Sequence, residues 1–407
     1  MKIIDGGVTA PKGFQAASCQ AGIKYQNRTD MAMVYSEKPC KVAGTFTTNV
    51  VKAAPVLWDM KVVEESAFAQ AVVVNSGIAN AATSKAGMNI CEETARLTGE
   101  RLNIPADAVL IGSTGVIGMQ IDIEKIKGGI EKLVPALKST REAAIEAAKA
   151  IMTTDTIKKE EAVEIELGGK KVTIGAMCKG SGMIHPNMCT MLGYITTDAA
   201  ISKELLTKAL KKDVTDTFNM ISVDGDTSTN DTLLILANGL AGNPEITEEN
   251  EDYRVFCEAL HYVNETLAKR MAGDGEGATA LIESKVIGAR SKEDARILAK
   301  SVITSSLTKA AVFGHDANFG RILCALGYSG AVFDPEKVEL YYESESGRLL
   351  IFKDGAATDY SEEEATKILS AKEVRIISDM KMGDFEATAW GCDLTYDYVK
   401  INADYRS

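Results

Sequence analysis

The stretch from Lys179 to Gly193 reads Lys-Gly-Ser-Gly-Met-Ile-His-Pro-Asn-Met-Cys-Thr-Met-Leu-Gly and changes character halfway along. Its first half is short, polar and rich in glycine, whereas residues 191–197 are apolar or β-branched. This change predicts a loop that leads into a buried strand, with Thr190 at the junction.

Thr190 acquires a special chemistry if the peptide bond between Cys189 and Thr190 breaks. The new N-terminus then carries a hydroxyl nucleophile and an amine base on one residue. A free α-amine has a pKa of roughly 7.7–8.0, so part of it is neutral near pH 7. The local string by itself favours the simpler interpretation, a glycine loop before a buried strand.

Length and composition are those of an ordinary globular protein. The 407 residues exceed the size at which a single core stops growing, so two or more domains are expected. Hydrophobic residues make up 45% of the chain and charged residues 25%, which is typical of soluble proteins. The net charge of −12 argues against a general binder of nucleic acids or anionic membranes, because such a protein needs a basic surface.

Neither secretion nor metal binding is expected. The N-terminal residues lack the apolar core of a signal peptide, and no long apolar run predicts a membrane span, so we expect a cytoplasmic protein. The eight cysteines are scattered without a CxxC pair, which favours reduced thiols. His185, His261 and His315 lie far apart, without the spacing of a metal site.

Thr114 stands between glycines in the segment Gly112–Gly118, after a short predicted strand at 109–111. The GxxxxGK[ST] spacing of a phosphate-binding loop is absent, so nucleotide binding is rejected. The alternative is an oxyanion hole, in which the Thr114 hydroxyl and the Gly115 amide face a developing negative charge. From the string alone this is the minority interpretation.

Three other segments carry single polar residues near predicted element ends or turns. Thr153 follows a long helical pattern at 122–152, and Lys179 ends a predicted hairpin, although lysine is usually a surface residue. Glu276 lies in a glycine-rich turn, where a glutamate is usually solvated.

The acidic segment Asp224–Thr232 suggests a calcium loop, but the glutamate at the twelfth position of an EF-hand is missing. We expect its small polar side chains to pack near the active centre instead. His315 and Asp316 suggest a catalytic triad, yet no GxSxG motif appears. A structural role for His315, or one that acts through a neighbouring site residue, is the better interpretation.

Strand and helix patterns alternate along the chain, which predicts the α/β class with a smaller C-terminal α/β domain from about residue 285. The last residues are unusually apolar for a tail. Tyr398, Val399 and Ile401 are therefore predicted to be buried and to dock the C-terminus.

The string KGSGMIHPNMCTMLGYITTDA, residues 179–199, closely resembles the processing site of the ornithine acetyltransferase (ArgJ) family. Members of that family cut themselves before a threonine in a sequence of the type KGSGMIxPNMATML. The resemblance extends from about Gly6 to Ser407. It departs from the family at Cys189, where a similarly small alanine is usual, and at Ile78, where the family has a polar residue in NSGNANA. We expect cleavage to survive the first change, and we assign Ile78 no polar role.

The resemblance implies a layered α+β sandwich of the type shared with DmpA-like enzymes. It implies an alpha chain of residues 1–189 and a beta chain whose catalytic part covers 190–284. Residues 285–407 would form the C-terminal α/β domain, whose tail returns to the active site. Two alpha and two beta chains would assemble as a heterotetramer.

The resemblance also implies roles for individual residues. Thr190 would be the nucleophile released by cleavage at Cys189–Thr190, with Thr114 and Gly115 as the oxyanion pair. The implied substrate-binding residues are Thr153, Lys179, Thr190, Glu276, Asn402 and Ser407.

The implied activity moves an acetyl group from N2-acetyl-L-ornithine to L-glutamate in arginine biosynthesis, through an ester on Thr190. No cofactor and no metal would be needed, and the use of acetyl-CoA as a further donor stays open. Two alternatives remain. An N-terminal-nucleophile aminopeptidase or amidohydrolase of related architecture would pass the acyl group to water, and a binding protein would never cleave.

Overall fold

The computed structural model of the protein describes residues 1–185 and 191–403. The predicted site residues Cys189, Thr190 and Ser407 lie outside the described residues. The chain divides into two compact units, each with its own sheet. The first unit comprises Met1–Gly180, the described part of Pro186–Thr215, and Thr227–Leu267; the second comprises Ser181–His185, Asp216–Asp226 and the described part of Ala268–Ser407.

Strands and helices alternate through both units, which confirms the predicted α/β class. The strands are β1 (Lys2–Ile3), β2 (Phe14–Cys19), β3 (Met31–Phe46), β4 (Ala69–Ile78), β5 (Val109–Val116), β6 (Lys159–Leu167), β7 (Lys170–Lys179), β8 (Leu192–Thr197), β9 (Ile221–Ser222), β10 (Thr232–Ala237), β11 (Leu281–Ala289), β12 (Glu339–Ser344), β13 (Gly347–Lys353), β14 (Ala356–Ala357), β15 (Glu373–Asp379) and β16 (Phe385–Cys392). The α-helices are α1 (Ala54–Glu65), α2 (Ser84–Leu102), α3 (Ile123–Ala136), α4 (Arg141–Ala150), α5 (Lys203–Asp213), α6 (Glu251–Gly273), α7 (Lys292–Thr304), α8 (Ser306–Phe313), α9 (Phe319–Gly327), α10 (Glu362–Leu369) and α11 (Tyr396–Ala403).

The first unit is built on a nine-stranded sheet in the order β1-β6-β7-β8-β10-β3-β4-β5, with β2 paired to β3. Strand β8 lies between β7 and β10; it is antiparallel to β7 and parallel to β10. All its residues are buried, as expected for a central strand. This confirms the buried strand predicted to follow the glycine-rich loop, and the strand begins at Leu192.

The helical pattern at 122–152 forms two helices, α3 and α4. Pro135 stands in the last turn of α3, and a proline disfavours continuation of a helix. Thr140 then starts α4, its hydroxyl accepting a hydrogen bond from the Ala143 N–H. Thr153 lies just after the end of α4, so the position of that threonine depends on where the second helix begins and ends.

The second unit is built on a seven-stranded sheet in the order β14-β13-β12-β15-β11-β16-β9. Helix α7 packs on β11 and β16. Serine side chains cap three of its helices, because Ser291, Ser305 and Ser361 each accept a hydrogen bond from a first-turn N–H.

The C-terminal helix α11 corrects one prediction. Val399 is 63% exposed and Ile401 is 37% exposed, so the prediction that they are buried was wrong. The helix is held by polar contacts instead. Thr395 Oγ1 donates to the Gly277 carbonyl over 2.7 Å, and Asn402 Nδ2 donates to Glu276 Oε2 over 2.7 Å.

Among the described residues, no helix combines the length and the apolar character that crossing a membrane requires.

Candidate active site

Lys179 and two threonine hydroxyls come together in the first unit. Lys179 is the last residue of β7 and pairs with Leu192 at the start of β8. Its Nζ donates to Thr153 Oγ1 over 2.8 Å and to Thr114 Oγ1 over 3.4 Å. Its side chain is only 9% exposed. We call Thr114, Thr153 and Lys179 the lysine cluster; these predicted site residues are brought together as a group.

Asp155 anchors the lysine cluster, and sequence reasoning did not single it out. Its Oδ1 accepts hydrogen bonds from Lys159 Nζ at 2.8 Å and from the Gly180 N–H at 2.7 Å, and its Oδ2 lies 3.8 Å from Lys179 Nζ. Burial alone would raise the pKa of Asp155, but the charges of Lys179 and Lys159 and these hydrogen bonds hold it below its ordinary value. The carboxylate is therefore ionised and fixes the two lysines and the backbone at Gly180.

Removing this carboxylate is expected to be costly. In Asp155→Ala we expect the free energy of unfolding to fall by about 3–5 kcal/mol, because Lys159 is fully buried and loses the carboxylate that faces it. Urea unfolding measures the change. The double variant Asp155→Ala/Lys159→Met removes both charges and is expected to recover much of the loss. An unfolding free energy of Asp155→Ala equal to that of the wild type would contradict the assignment.

The contacts of Asp155 also predict that the folded protein loses stability in acid. The pKa of Asp155 in the folded protein lies below its ordinary value of about 3.9, so its stabilising contribution is complete above that pH. The contribution is lost as the pH falls through that value towards the folded-state pKa.

Thr114 and Gly115 lie at the end of β5, beside β4, and not in a free loop. Gly115 has φ +130°, and a Cβ on it would lie 2.2 Å from the carbonyl carbon of Gly77. Only glycine fits there, because both the backbone conformation and the close approach of β4 exclude a side chain. Asn230 holds this strand end, since its Nδ2 donates to the carbonyl of Ser113 over 2.8 Å.

Asp231, from the acidic segment, is a second residue that the sequence did not assign. It is 1% exposed, and burial raises the pKa of its carboxyl well above the ordinary range, against the opposing charge of Lys179. The next residue, Thr232, donates its N–H to the Met191 carbonyl over 2.7 Å. The end of the acidic segment thus pairs with the backbone at Met191, and the packing of its small polar side chains near the active centre stays a prediction.

In the second unit the structure brings together Glu276 and Asn402, the two described site residues predicted there. Glu276 is 7% exposed, and its Oε2 accepts the hydrogen bond from Asn402 Nδ2. Its backbone N–H donates to the Ser181 carbonyl over 3.0 Å. A Cβ on Gly182 would lie 2.3 Å from Glu276 Cδ, so the glycine at 182 allows the carboxylate to pack against the backbone there.

His315 is exposed, and its Nδ1 lies 3.4 Å from Ser370 Oγ. Nowhere in the described ranges do three or more His, Cys, Asp or Glu side chains gather as a metal ion would require. The described cysteines are free thiols.

The chain matches the model of the ArgJ family over residues 15–407. It is 55% identical over 395 residues to the arginine biosynthesis bifunctional protein ArgJ 1 of Clostridium acetobutylicum, covering 97% of this chain and 96% of that protein. It is 50% identical over 407 residues to the arginine biosynthesis bifunctional protein ArgJ of Caldanaerobacter subterraneus, covering all of both. A solved chain of the Mycobacterium tuberculosis ornithine acetyltransferase, complexed with ornithine, is 38% identical, with a TM-score of 0.43, and the match covers 46% of this chain and 98% of that one.

An α/β fold and identities of 50–55% over nearly the whole chain define an acyltransferase of arginine biosynthesis. The chain belongs to the ArgJ family. This confirms the resemblance drawn from residues 179–199.

Proposed function

We propose that the chain cuts itself between Cys189 and Thr190 and then transfers acetyl from N2-acetyl-L-ornithine to L-glutamate. One observation carries the proposal beyond family membership. Lys179 Nζ reaches the hydroxyls of both Thr114 and Thr153, and Lys179 pairs with Leu192, two residues after the proposed nucleophile.

In the lysine cluster, Lys179 is the hydrogen-bond donor and the two threonine hydroxyls are the acceptors. An ammonium group has three donors and no acceptor, so both threonine oxygens must accept from Lys179. Each hydroxyl therefore keeps its own hydrogen to donate elsewhere. In Thr114 that hydrogen is available for an oxyanion, and in Thr153 for a substrate oxygen.

The cut follows from the same chemistry. Thr190 Oγ attacks the Cys189 carbonyl carbon, the C–N bond breaks, and the former amide nitrogen takes the hydroxyl proton and becomes the α-amine of Thr190. Water then hydrolyses the resulting ester, which leaves a carboxylate on Cys189 and a free Thr190 hydroxyl. The first step thus creates the base, and the hydrolysis then frees the nucleophile.

Transfer proceeds through an acetyl ester. Thr190 Oγ attacks the acetyl carbonyl while the α-amine takes its proton, and Thr114 with Gly115 stabilises the oxyanion. The C–N bond to ornithine breaks and the ornithine amine leaves with that proton. The glutamate amine then attacks the ester, releasing N-acetylglutamate and restoring the Thr190 hydroxyl.

Charge complementarity supports the substrate assignments. Glu276, oriented by Asn402, offers a carboxylate to a ligand ammonium. Lys179 and Thr153 offer donors to a ligand carboxylate. Ser407 completes the set that the family resemblance implies.

Gly182→Ala tests the assignment of Glu276. A methyl group at 182 would collide with the Glu276 carboxylate, so we expect that side chain to shift and KM for acetylornithine to rise several-fold, with a smaller change in kcat. Steady-state kinetics on the cleaved enzyme measure it. Gly128→Ala is the matched control, since a Cβ at Gly128 meets nothing within 4 Å. Equal KM values in both variants would remove Glu276 from the substrate site.

Two measurements on protein made in a foreign host test the proposal as a whole. Intact-mass spectrometry is expected to find two fragments, 1–189 and 190–407, and an assay with acetylornithine and glutamate is expected to yield N-acetylglutamate and ornithine. Acetate release without glutamate would instead identify an amidohydrolase, and an uncut chain without transfer would identify a binding protein. Incubation with acetyl-CoA and glutamate decides whether acetyl-CoA is also a donor.

The remaining predictions form part of the same proposal. We infer a heterotetramer of two alpha and two beta chains, a cytoplasmic location and a reaction without cofactor. Native mass spectrometry of the cleaved protein, before and after treatment with a chelator, tests the assembly and the absence of a metal.

A further inference from the structure

The segment Ser181–His185 runs up to the residues that contain the cut, and in the second unit it is held by side chains more than by strand pairing. Asp224 makes two of these contacts: its Oδ2 accepts from the Met183 N–H at 2.6 Å and its Oδ1 accepts from the Ile184 N–H at 2.9 Å. The Ile184 carbonyl accepts from the Val223 N–H over 2.7 Å. One carboxylate therefore holds two consecutive backbone amides.

The backbone held by Asp224 is in an unfavourable conformation. Met183 has φ +56°, in the left-handed region that costs an ordinary residue roughly 1–2 kcal/mol. Hydrogen bonds to an ionised acceptor are stronger than those between neutral groups. The bidentate contact from Asp224 offsets the strain at Met183, and without it the chain at 183–184 would relax to a different direction.

The residues after the cut are held differently, within the first unit. Leu192 begins β8, which pairs with both β7 and β10, and the Met191 carbonyl already accepts from the Thr232 N–H. Strand pairing thus fixes the downstream side. The upstream side has no comparable ladder in the described residues. Its ends are held by Ser181, whose carbonyl accepts from the Glu276 N–H, and by His185, whose Nδ1 lies 3.1 Å from Ser222 Oγ. Between them, Asp224 is the side chain that holds the two amides at Met183 and Ile184.

We propose that Asp224 is a positioning residue for self-cleavage, which holds the backbone at Met183 and Ile184 so that the downstream cut can occur. This inference rests on the proposed function, since it presumes the cut at Cys189–Thr190. The physical reason is that attack on a neighbouring carbonyl needs reacting atoms about 3–3.5 Å apart and aligned. A chain released upstream samples such geometry less often.

Other groups face the Asp224 carboxylate from within the second unit. The Asp226 N–H donates to Asp224 Oδ1 over 3.2 Å. Burial, followed by the negative charges of Asp224 and Glu276, raises the pKa of the Tyr398 hydroxyl. Burial likewise raises the pKa of Asp224, against the three N–H donors of Asp226, Met183 and Ile184.

The test compares the rate of self-cleavage in four variants of the full chain, followed by intact mass after synthesis in a cell-free system. Asp224→Ala removes both acceptors and is expected to slow cleavage roughly tenfold or more; Asp224→Asn keeps one acceptor and is expected to slow it several-fold. Asp226→Asn removes an exposed charge two residues away, and Tyr398→Phe removes the hydroxyl that faces Asp224. Both are expected to cleave like the wild type.

A second readout separates positioning from a general folding role. Once the bond is cut, the upstream anchor no longer has to align it, so kcat per cleaved molecule in Asp224→Asn is expected to match the wild type. Wild-type cleavage rates in both Asp224 variants would overturn the inference. Parallel losses of cleavage, of transfer per cleaved molecule and of Tm would also overturn it, in favour of a structural role. An uncut wild-type chain would defeat the proposed function itself, and this inference with it.

Discussion

Thr190→Ala is expected to abolish both self-cleavage and acetyl transfer. Both steps begin with attack by the Thr190 hydroxyl, and alanine offers no atom that replaces it. Removing the nucleophile from other covalent catalysts lowers kcat by about 10⁶, which is below detection in an ordinary transfer assay. Intact-mass spectrometry is expected to show one species of 407 residues.

Two controls define this result. Thr190→Ser keeps a hydroxyl and is expected to retain both reactions at reduced rates. Cys189→Ala places the usual family residue before the cut and is expected to cleave like the wild type, since both side chains are small. Two normal fragments from Thr190→Ala, or normal transfer by it, would show that another residue is the nucleophile.

Thr114→Ala is expected to lower kcat of the cleaved enzyme by roughly 10²–10³, equivalent to about 2.7–4 kcal/mol of transition-state stabilisation. The hydroxyl of Thr114 accepts from Lys179, so its hydrogen is free to donate to the oxyanion. That donation matters most in the transition state, and KM is therefore expected to change little. Steady-state kinetics with acetylornithine and glutamate measure both constants.

Thr153 provides the matched comparison for Thr114. Thr153 contacts the same lysine, but its proposed partner is the substrate itself. Thr153→Ala is therefore expected to raise KM more than it lowers kcat, and Thr114→Ser is expected to stay close to the wild type. An unchanged kcat in Thr114→Ala would end the assignment of the oxyanion pair.

The sequence by itself determined the family and the local framework of the site. The string at 179–199 is contiguous, so the resemblance could be seen without a structure, and the full-length match confirmed it. Strand β8 and the hairpin of β6 and β7 were predicted because an apolar run and two alternating runs around Gly168 are local signals.

Only the tertiary structure decided which side chains meet. Lys179 lies 65 positions from Thr114 and 26 positions from Thr153 in the sequence. The order of the strands in the sheet brings these residues into contact, and no periodic pattern in the sequence predicts it. Asp155 was overlooked for the same reason, because a lone aspartate after a helix carries no signal of the two lysines that it will face. Val399 shows that a local signal can also mislead. Its hydrophobicity predicted burial, but it is exposed, and the hydrogen bonds of Thr395 and Asn402 hold α11 instead.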